Sequence, residues 1–223
     1  MEPRYARNLS AITEAEQVLL GTKKVAVIGC GGLGGHLIDQ LARIGIGAIR
    51  AVDGDVFEES NLNRQLLSET ALLGSSKAEA AADRIRRVNP RVEAEAIPEF
   101  LTADNAMALI SGCDAVLDGL DNIGSRKILS SACANAGVPY IYGAISGWVA
   151  QAAVSMPGDR LVETMYPEDI RLGDKSVLSF TPALCASMQT ALCVRLLTGR
   201  PVDTGTVYYF DLLNQEFETI PLA

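Results

Sequence analysis

The chain has 223 residues, enough for one large domain around a single core. Its net charge of −8 argues against a nucleic-acid partner or an anionic membrane surface, because either would need a basic patch. Hydrophobic residues make up 48% and aromatic residues only 5%, so the core must consist mainly of Ala, Val, Ile and Leu, a mixture typical of buried parallel strands covered by helices.

The lack of a secretory signal or membrane span and the spacing of the cysteines predict a cytoplasmic protein. The first residues lack the apolar run of a secretory signal, and no stretch of 18 apolar residues free of Gly and charge follows. The cysteines are odd in number, and no two are spaced as Cys-x-x-Cys, which argues against a disulfide framework. They are Cys30, Cys113, Cys133, Cys185 and Cys193.

Strand and helix signals alternate from residue 23 onwards. Lys23–Gly29 is a β-branched run stopped by glycine, Gly31–Ile44 carries apolar residues at helical spacing, and Ala48–Asp53 reads as a second strand. Such a β-α-β unit is right-handed with parallel strands. The alternation continues as a helix at 76–88, a strand at 92–97, a helix at 104–110, a strand at 114–118, a helix at 123–136 and a strand at 139–145.

The alternation then breaks. Trp148–Met156 follows too closely for a crossover helix, which predicts an antiparallel strand. Pro157–Thr181 has no clear periodicity and is interpreted as a functional crossover loop. Pro182–Thr198 is a predicted helix, and 207–212 with 216–222 form a predicted hairpin. We therefore predict one α/β domain over residues 1–223. Its fold is a Rossmann-like, doubly wound, mostly parallel sheet with antiparallel strands at the C-terminal end, preceded by an arm and helix at 1–21.

The loop Gly29-Cys30-Gly31-Gly32-Leu33-Gly34 lies between a predicted strand and helix. Its spacing, Gly-x-Gly-x-x-Gly, lets the backbone approach phosphates at a helix N-terminus. Asp53 ends the second strand, nineteen residues beyond Gly34, where a carboxylate can bind a ribose. The pattern predicts an adenine nucleotide and by itself favours NAD.

The following segments favour ATP. Ser60-Asn61-Leu62-Asn63-Arg64-Gln65 comes after the second strand, and Lys77 opens a helix. Two cations and several amides suit a triphosphate, whose charge must be offset by fixed donors. Asp121, in Asp118-Gly119-Leu120-Asp121-Asn122, can hold Mg²⁺. Taken alone, Arg64 or Lys77 is also consistent with a solvated surface charge, and Asp121 with a helix N-cap. The prediction rests on the three residues occurring together in this order.

Together these segments resemble the adenylating domain of the MoeB/ThiF/HesA proteins, bacterial relatives of ubiquitin-activating enzymes. The resemblance extends from about residue 4 to the end of the chain. The matching segments are Arg4 to Asn8, the glycine loop, Asp53 to Asp55, Ser60 to Gln65, Gly74 to Lys77, Asn89-Pro90, Asp118 to Asn122 and Ala183 to Gln189.

The resemblance implies an adenylyltransferase. A C-terminal carboxylate, usually the Gly-Gly tail of a ubiquitin-like sulfur carrier of thiamine or molybdopterin biosynthesis, would attack the α-phosphate of ATP and release pyrophosphate. It also implies a homodimer in which Arg7 reaches the partner's ATP. The implied catalytic residues are Arg7, Arg64, Lys77 and Asp121, the last with Mg²⁺. The implied nucleotide-binding residues are Gly29, Gly31, Gly32, Gly34, Asp53, Asp55, Asn61, Arg64, Gln65, Lys77, Asp121 and Asn122.

Two departures from the family pattern concern cysteine. Leu161 and Thr164 occupy the places of a first zinc-binding Cys pair and no second pair follows, so we expect no zinc. The loop 157–181 has no cysteine for a covalent intermediate. Cys185, Cys30 and His36 are interpreted as structural residues.

Three alternatives remain open from the sequence. One is a superfamily member that activates a non-protein carboxylate, as the tRNA-base dehydratases do. Another is an NAD-dependent oxidoreductase, although no acid-base pair accompanies the glycine loop. The third is an inactive subunit of a heterodimer, which the joint presence of Arg64, Lys77 and Asp121 opposes.

Overall fold

The computed structural model describes residues 2–167 and 176–222. Eight strands form one sheet in the order β3-β2-β1-β4-β5-β6-β7-β8. The strands are β1 (Lys24–Ile28), β2 (Ala48–Val52), β3 (Glu93–Ile97), β4 (Ala115–Asp118), β5 (Tyr140–Ser146), β6 (Val149–Ser155), β7 (Thr206–Asp211) and β8 (Glu216–Pro221). The helices are α1 (Glu14–Leu20), α2 (Gly32–Ile44), α3 (Lys77–Val88), α4 (Ala106–Ile110), α5 (Ile123–Ala136), α6 (Leu161–Met165) and α7 (Phe180–Leu197).

The strand pairing confirms the predicted fold class. Strands β1 to β5 pair in parallel, and β5 to β8 pair antiparallel. The turn from β5 to β6 uses Gly147, whose φ of 54° lies in the left-handed region. Because β1 leads to β2 on one side while β4 lies on its other side, the strand order reverses between β1 and β4. Ligands of doubly wound sheets bind at such a point, outside the carboxyl ends of the strands.

The prediction for Pro157–Thr181 was wrong in two places. Residues 161–165 form the helix α6, and α7 begins at Phe180 rather than at Pro182. Helix α6 buries Leu161 and Val162 in the second core cluster beside α5, and five residues are too few to show a helical period in the sequence. The rest of the predicted loop includes 168–175, which lie outside the described residues.

Apolar side chains cover both faces of the sheet. One core cluster joins the strands to α2, α3 and α7, and a second joins them to α4, α5 and α6. By length and composition α7 could cross a membrane, but half of it is buried inside the fold, where it packs against α2, β5 and β6. Its residues Cys185, Ala186 and Cys193 are fully buried, which accounts for its apolar composition.

The N-terminal arm is tied to the end of the fold opposite the glycine loop. The Tyr5 ring packs against Gly45, the C-cap of α2, and the Tyr5 hydroxyl accepts a hydrogen bond from Asn89 at 2.8 Å. Arg4 donates to the Asn89 side chain at 2.5 Å. Since α2 has 13 residues, its C-terminal end lies about 20 Å from its N-terminal end. This distance separates the anchored arm from the glycine loop of the same chain.

The ion pair between Glu16 and Arg200 predicts a pH-dependent contribution to stability. The Arg200 guanidinium donates to both carboxylate oxygens of Glu16, at 2.6 and 2.9 Å, and with the Thr13 backbone amide it lowers the Glu16 pKa from 4.5 to about 2. A lowered folded-state pKa stabilises the fold fully above the unfolded value and not at all below the folded value. Urea unfolding should therefore show that Glu16→Gln is less stable than wild type at pH 7, with the gap closing as the pH falls from 4.5 towards 2. Arg200→Ala should behave in the same way, and a gap unchanged at pH 2 would contradict the pairing.

Candidate active site

A cleft of about 460 Å³ opens at the carboxyl ends of β1, β2, β3 and β4, where the strand order reverses. This volume is within the range of small-molecule sites in proteins. Ten of the residues that the sequence analysis proposed line it: Gly29, Gly31, Gly32, Asp53, Asp55, Arg64, Gln65, Lys77, Asp121 and Asn122. The fold thus brings together residues from five separate sequence segments.

The glycine loop forms the floor of the cleft. Gly29 has φ of 93°, and a Cβ there would lie 2.6 Å from the backbone oxygen of Gly119, so the loops after β1 and β4 touch through glycine. The Asp53 carboxylate accepts hydrogen bonds from the Cys30 amide at 2.7 Å and the Asp55 amide at 2.9 Å. Asp53 therefore fixes the loop that begins α2 and also borders the cleft.

Two glycines of this loop differ in the space available for a side chain, so alanine substitutions at the two positions can be compared. A Cβ at Gly34 would lie 1.7 Å from the Gly29 backbone oxygen, whereas a Cβ at Gly32 meets other atoms only at 3.8 Å or more. Gly34→Ala should lower the free energy of unfolding by about 3 kcal/mol or more, measured in urea. Gly32→Ala should stay within about 1 kcal/mol of wild type, yet lose ATP affinity if the nucleotide packs against Gly32. Equal stability of the two variants would contradict the packing of Gly34.

Two cations line the cleft. The Lys77 side chain is 7% exposed, and its Nζ donates to the Asp55 carboxylate at 2.6 Å, which lowers the pKa of Asp55. Arg64 is half-buried, and its Nη1 donates to the Ser60 carbonyl oxygen at 2.8 Å. Gln65 is buried beside Gly31, and its Oε1 has no hydrogen-bond partner among the described residues. These residues thus provide two positive charges and, among the described residues, one unpaired amide oxygen, that of Gln65.

Asp121 lines the same cleft and lies in the short turn between β4 and α5. The N-cap of α5 is Asn122, whose side chain accepts a hydrogen bond from the Ser125 amide at 2.8 Å. Asp121 is exposed and accepts only a 3.3 Å hydrogen bond from the Asn122 side chain within the described residues. Since Asn122 does the capping, the Asp121 carboxylate is free for a ligand.

Three of the proposed residues do not line the cleft. Gly34 lies behind the loop that it packs against. Asn61 is buried, and its side chain caps the 3-10 turn Glu59–Asn61 by accepting a hydrogen bond from the Glu58 amide at 3.0 Å. Arg7 is exposed on the anchored arm. Any role of Gly34 or Asn61 toward a ligand would therefore act through the segments that they hold in place.

The sequence analysis did not anticipate several lining residues, of which Phe100 and Arg126 stand out. The Phe100 ring packs against Gly54 and is 66% exposed, so it offers an aromatic face beside Asp53. Arg126 is buried in α5 and pairs with Asp118 at 3.0 Å. Burial opposes the charge on Arg126, but the Asp118 carboxylate outweighs it and raises the Arg126 pKa. A signal for Arg126 was present, because it falls between Ile123 and Leu129 on the buried stripe of α5.

The five cysteines lie in the core, whereas the histidine is half-buried. All five cysteines are buried, and burial raises the pKa of Cys185 to about 12 and that of Cys30 well above its ordinary value. His36 lines a shallow groove next to the cleft, and burial lowers its pKa. Within residues 2–167 and 176–222, no group of three or more His, Cys, Asp or Glu could hold a metal ion.

The sequence profile of the ThiF family matches residues 5–223. The chain belongs to the ThiF family. It is 32% identical to the SAMP-activating enzyme E1 of Haloferax volcanii, covering 98% of this chain and 84% of that protein. It is 30% identical to the sulfur carrier protein adenylyltransferase of Thermus thermophilus (97% and 86%) and 34% identical to the adenylyltransferase and sulfurtransferase MOCS3 of Mus musculus (98% and 50%).

Solved structures support the fold of this ThiF-family chain. A crystal structure of E. coli MccB with ATP superposes with a TM-score of 0.87 at 20% identity, covering 100% of this chain and 72% of that one. PaaA superposes with a TM-score of 0.80 at 24% identity, covering 93% and 66%. At these identities the likeness concerns the fold alone. The chain spans half of MOCS3 and most of the Haloferax and Thermus proteins, so it corresponds to the part that these relatives share.

Proposed function

We propose that this chain is an ATP-dependent adenylyltransferase that activates the C-terminal carboxylate of a ubiquitin-like sulfur carrier ending in Gly-Gly. The observation that carries the proposal is the cleft itself, which is lined by Arg64, Lys77 and Asp121 together with the glycine loop. The names of the Haloferax, Thermus and mouse relatives support the same activity. Residues 1–223 would act as one adenylating domain in the cytoplasm.

The residues of the cleft suit ATP in charge and shape. The phosphates of ATP would find two cations, Arg64 and Lys77, among the residues that line the cleft. Gly31 and Gly32 carry no side chain at the N-terminus of α2, so phosphates can approach the backbone there. Asp53 and Asp55 border the place expected for the ribose.

The reaction would join the carrier to AMP. A terminal carboxylate oxygen attacks the α-phosphorus of ATP, the bond to the bridging oxygen of the β-phosphate breaks, and pyrophosphate leaves with the electron pair. Arg64 and Lys77 offset the charge that builds up on the leaving pyrophosphate. Mg²⁺, when bound through ATP at Asp121, would neutralise further phosphate charge. Positioning rather than acid-base chemistry supplies the acceleration, because no proton must be moved.

An arginine supplied by a second copy would complete the site. Arg7 follows Tyr5 by two residues, the arm turns back there through the hydrogen bond from the Asn8 amide to the Tyr5 carbonyl oxygen, and Arg7 is not among the residues that line its own cleft. We propose that the protein is a homodimer in which each Arg7 reaches the partner's cleft. Interfaces of this kind are self-complementary about a two-fold axis.

ATP–pyrophosphate exchange tests the proposed function directly. The purified chain is assayed with a carrier ending in Gly-Gly and with the same carrier lacking its last glycine. Exchange that requires the intact tail supports the proposal. Exchange with small carboxylic acids but not with carriers indicates a non-protein substrate, and tight NAD binding without ATP affinity indicates an oxidoreductase. A chain that binds ATP but exchanges only with an added homologous subunit is half of a heterodimer.

We also propose that the chain works without zinc and without an acyl-thioester. The buried Cys185 thiol, with its pKa near 12, is protonated at neutral pH and is a poor nucleophile. Mass spectrometry of the reaction should show no DTT-sensitive adduct, and metal analysis should find no zinc. An adduct that disappears in Cys185→Ser, or one zinc per chain, would contradict this.

A further inference from the structure

A buried ion pair lies directly behind the turn that carries Asp121. Arg126 Nε donates to Asp118 Oδ2 at 3.0 Å, and the Tyr140 hydroxyl donates to the same oxygen at 2.6 Å. All three residues are at most 3% exposed. They connect the end of β4, the first turn of α5 and the start of β5. The proposed chemistry gives this charged cluster no direct part.

The ion pair holds the backbone of one residue from both sides. The Leu120 amide donates to Asp118 Oδ1 at 2.8 Å, and the Leu120 carbonyl oxygen accepts from Arg126 Nη2 at 2.6 Å. The same Nη2 also donates to the Gly143 carbonyl oxygen at 3.1 Å, which ties the turn to β5. Leu120 is the residue immediately before Asp121, so these contacts fix the backbone from which the Asp121 carboxylate extends.

The Asp121 side chain has little else to hold it. Its one hydrogen bond in the described part of the chain comes from the neighbouring Asn122 and is 3.3 Å long. An exposed carboxylate with one weak contact takes its position from its backbone. A metal site depends on such support, and loss of the groups that orient a metal ligand typically lowers metal affinity 10- to 100-fold.

We propose that Arg126 is a positioning residue, which acts through Leu120 and Asp118 to aim the Asp121 carboxylate at the magnesium ion of the bound nucleotide. The inference rests on the proposed function, in which Asp121 serves Mg²⁺·ATP. The guanidinium is suited to this task because its planar fork donates in three fixed directions, to Asp118, Leu120 and Gly143. A lysine has the charge but offers a single ammonium group, which cannot reach all three acceptors with the same geometry.

The test compares Arg126→Lys with Arg84→Lys. Arg84 also pairs with an aspartate, Asp39, at 2.9 Å, but it lies on α3 outside the cleft lining. Calorimetry measures the binding of a non-hydrolysable ATP analogue with and without Mg²⁺. Arg126→Lys should lower the affinity for Mg²⁺ in the complex about tenfold and should lower the affinity for the metal-free analogue by a clearly smaller factor, because Arg126 also borders the cleft; an equal loss in both would overturn the proposal. Arg84→Lys should change neither, and NMR should show faster hydrogen exchange of the Leu120 amide in Arg126→Lys only.

The outcomes separate positioning from general stabilisation. A lowered thermal midpoint with an unchanged Mg²⁺ affinity would overturn the proposal and leave Arg126 a purely structural residue. If Arg126→Lys does not fold, Tyr140→Phe removes only the hydroxyl that holds Asp118, and it should weaken Mg²⁺ binding by a smaller factor; no change there would overturn the proposal as well. A wild-type chain that binds no ATP analogue at all would instead refute the proposed function.

Discussion

Asp121→Ala should lower carrier-dependent ATP–pyrophosphate exchange about 1000-fold, equivalent to about 4 kcal/mol of transition-state stabilisation. The carboxylate is exposed and lines the cleft with the two cations, where it can hold Mg²⁺ against the phosphates. Without this carboxylate the site loses its hold on Mg²⁺, and the negative charge on the departing pyrophosphate is then not offset. Asp121→Asn keeps the shape and removes the charge, so it should lose nearly as much.

The fold should survive both substitutions. Asp121 does not cap α5, since Asn122 does, and its only hydrogen bond within the described residues is the weak one from Asn122. Circular dichroism and the thermal midpoint should therefore match the wild type. Asp83→Ala, which removes an exposed carboxylate of α3 paired with Arg86, serves as the matched control and should keep full exchange. Undiminished exchange in Asp121→Ala would mean that the metal is held by other groups.

Local sequence signals predicted most of the fold because each element here agrees with its own pattern. The run Lys24–Ile28 is a buried strand, and the apolar spacing of 32–44 gives a helix whose buried face includes Leu37 and Leu41. The antiparallel end of the sheet followed from a gap too short for a crossover helix, and β6 does pair antiparallel with β5. The short helix α6 was missed because its stability comes from burying Leu161 and Val162 rather than from any repeating pattern.

The sequence predicted those site residues whose positions follow from the ends of neighbouring strands. Gly29 and Asp53 are far apart in sequence, but both end parallel strands that lie side by side, so the topology brings them together. The side-chain partners could not be read in this way. The Asn61 side-chain oxygen accepts a hydrogen bond that caps its own turn, and the Lys77 ammonium group donates to Asp55. Which of two neighbours caps α5 is a matter of backbone direction, and it decides that Asp121 rather than Asn122 is free.

Arg7→Ala should abolish exchange to a similar extent, about 1000-fold, as expected for an arginine that offsets transition-state charge in trans. The physical reason is the anchoring of the arm. Tyr5 and Arg4 are held at Asn89, at the far end of α2 from the glycine loop, and Arg7 does not line its own cleft. In a two-fold dimer the same arm can serve the other chain. Activity would then depend on assembly, and a monomeric preparation should be inactive.

Mixing variants decides whether the site is shared. After random exchange of equal amounts of Arg7→Ala and Asp121→Ala chains, about half of the dimers are mixed, and each has one cleft with an intact Asp121 and an intact partner arginine. Exchange should recover to about a quarter of the wild-type activity. Arg64→Ala mixed with Asp121→Ala is the control. Both residues line the cleft of their own chain, so each mixed dimer keeps two defective sites and no recovery is expected. No recovery in the first mixture despite proven subunit exchange would show that Arg7 acts within its own chain or not at all. Recovery in the control would show that Arg64 and Asp121 do not act in the cleft of the same chain.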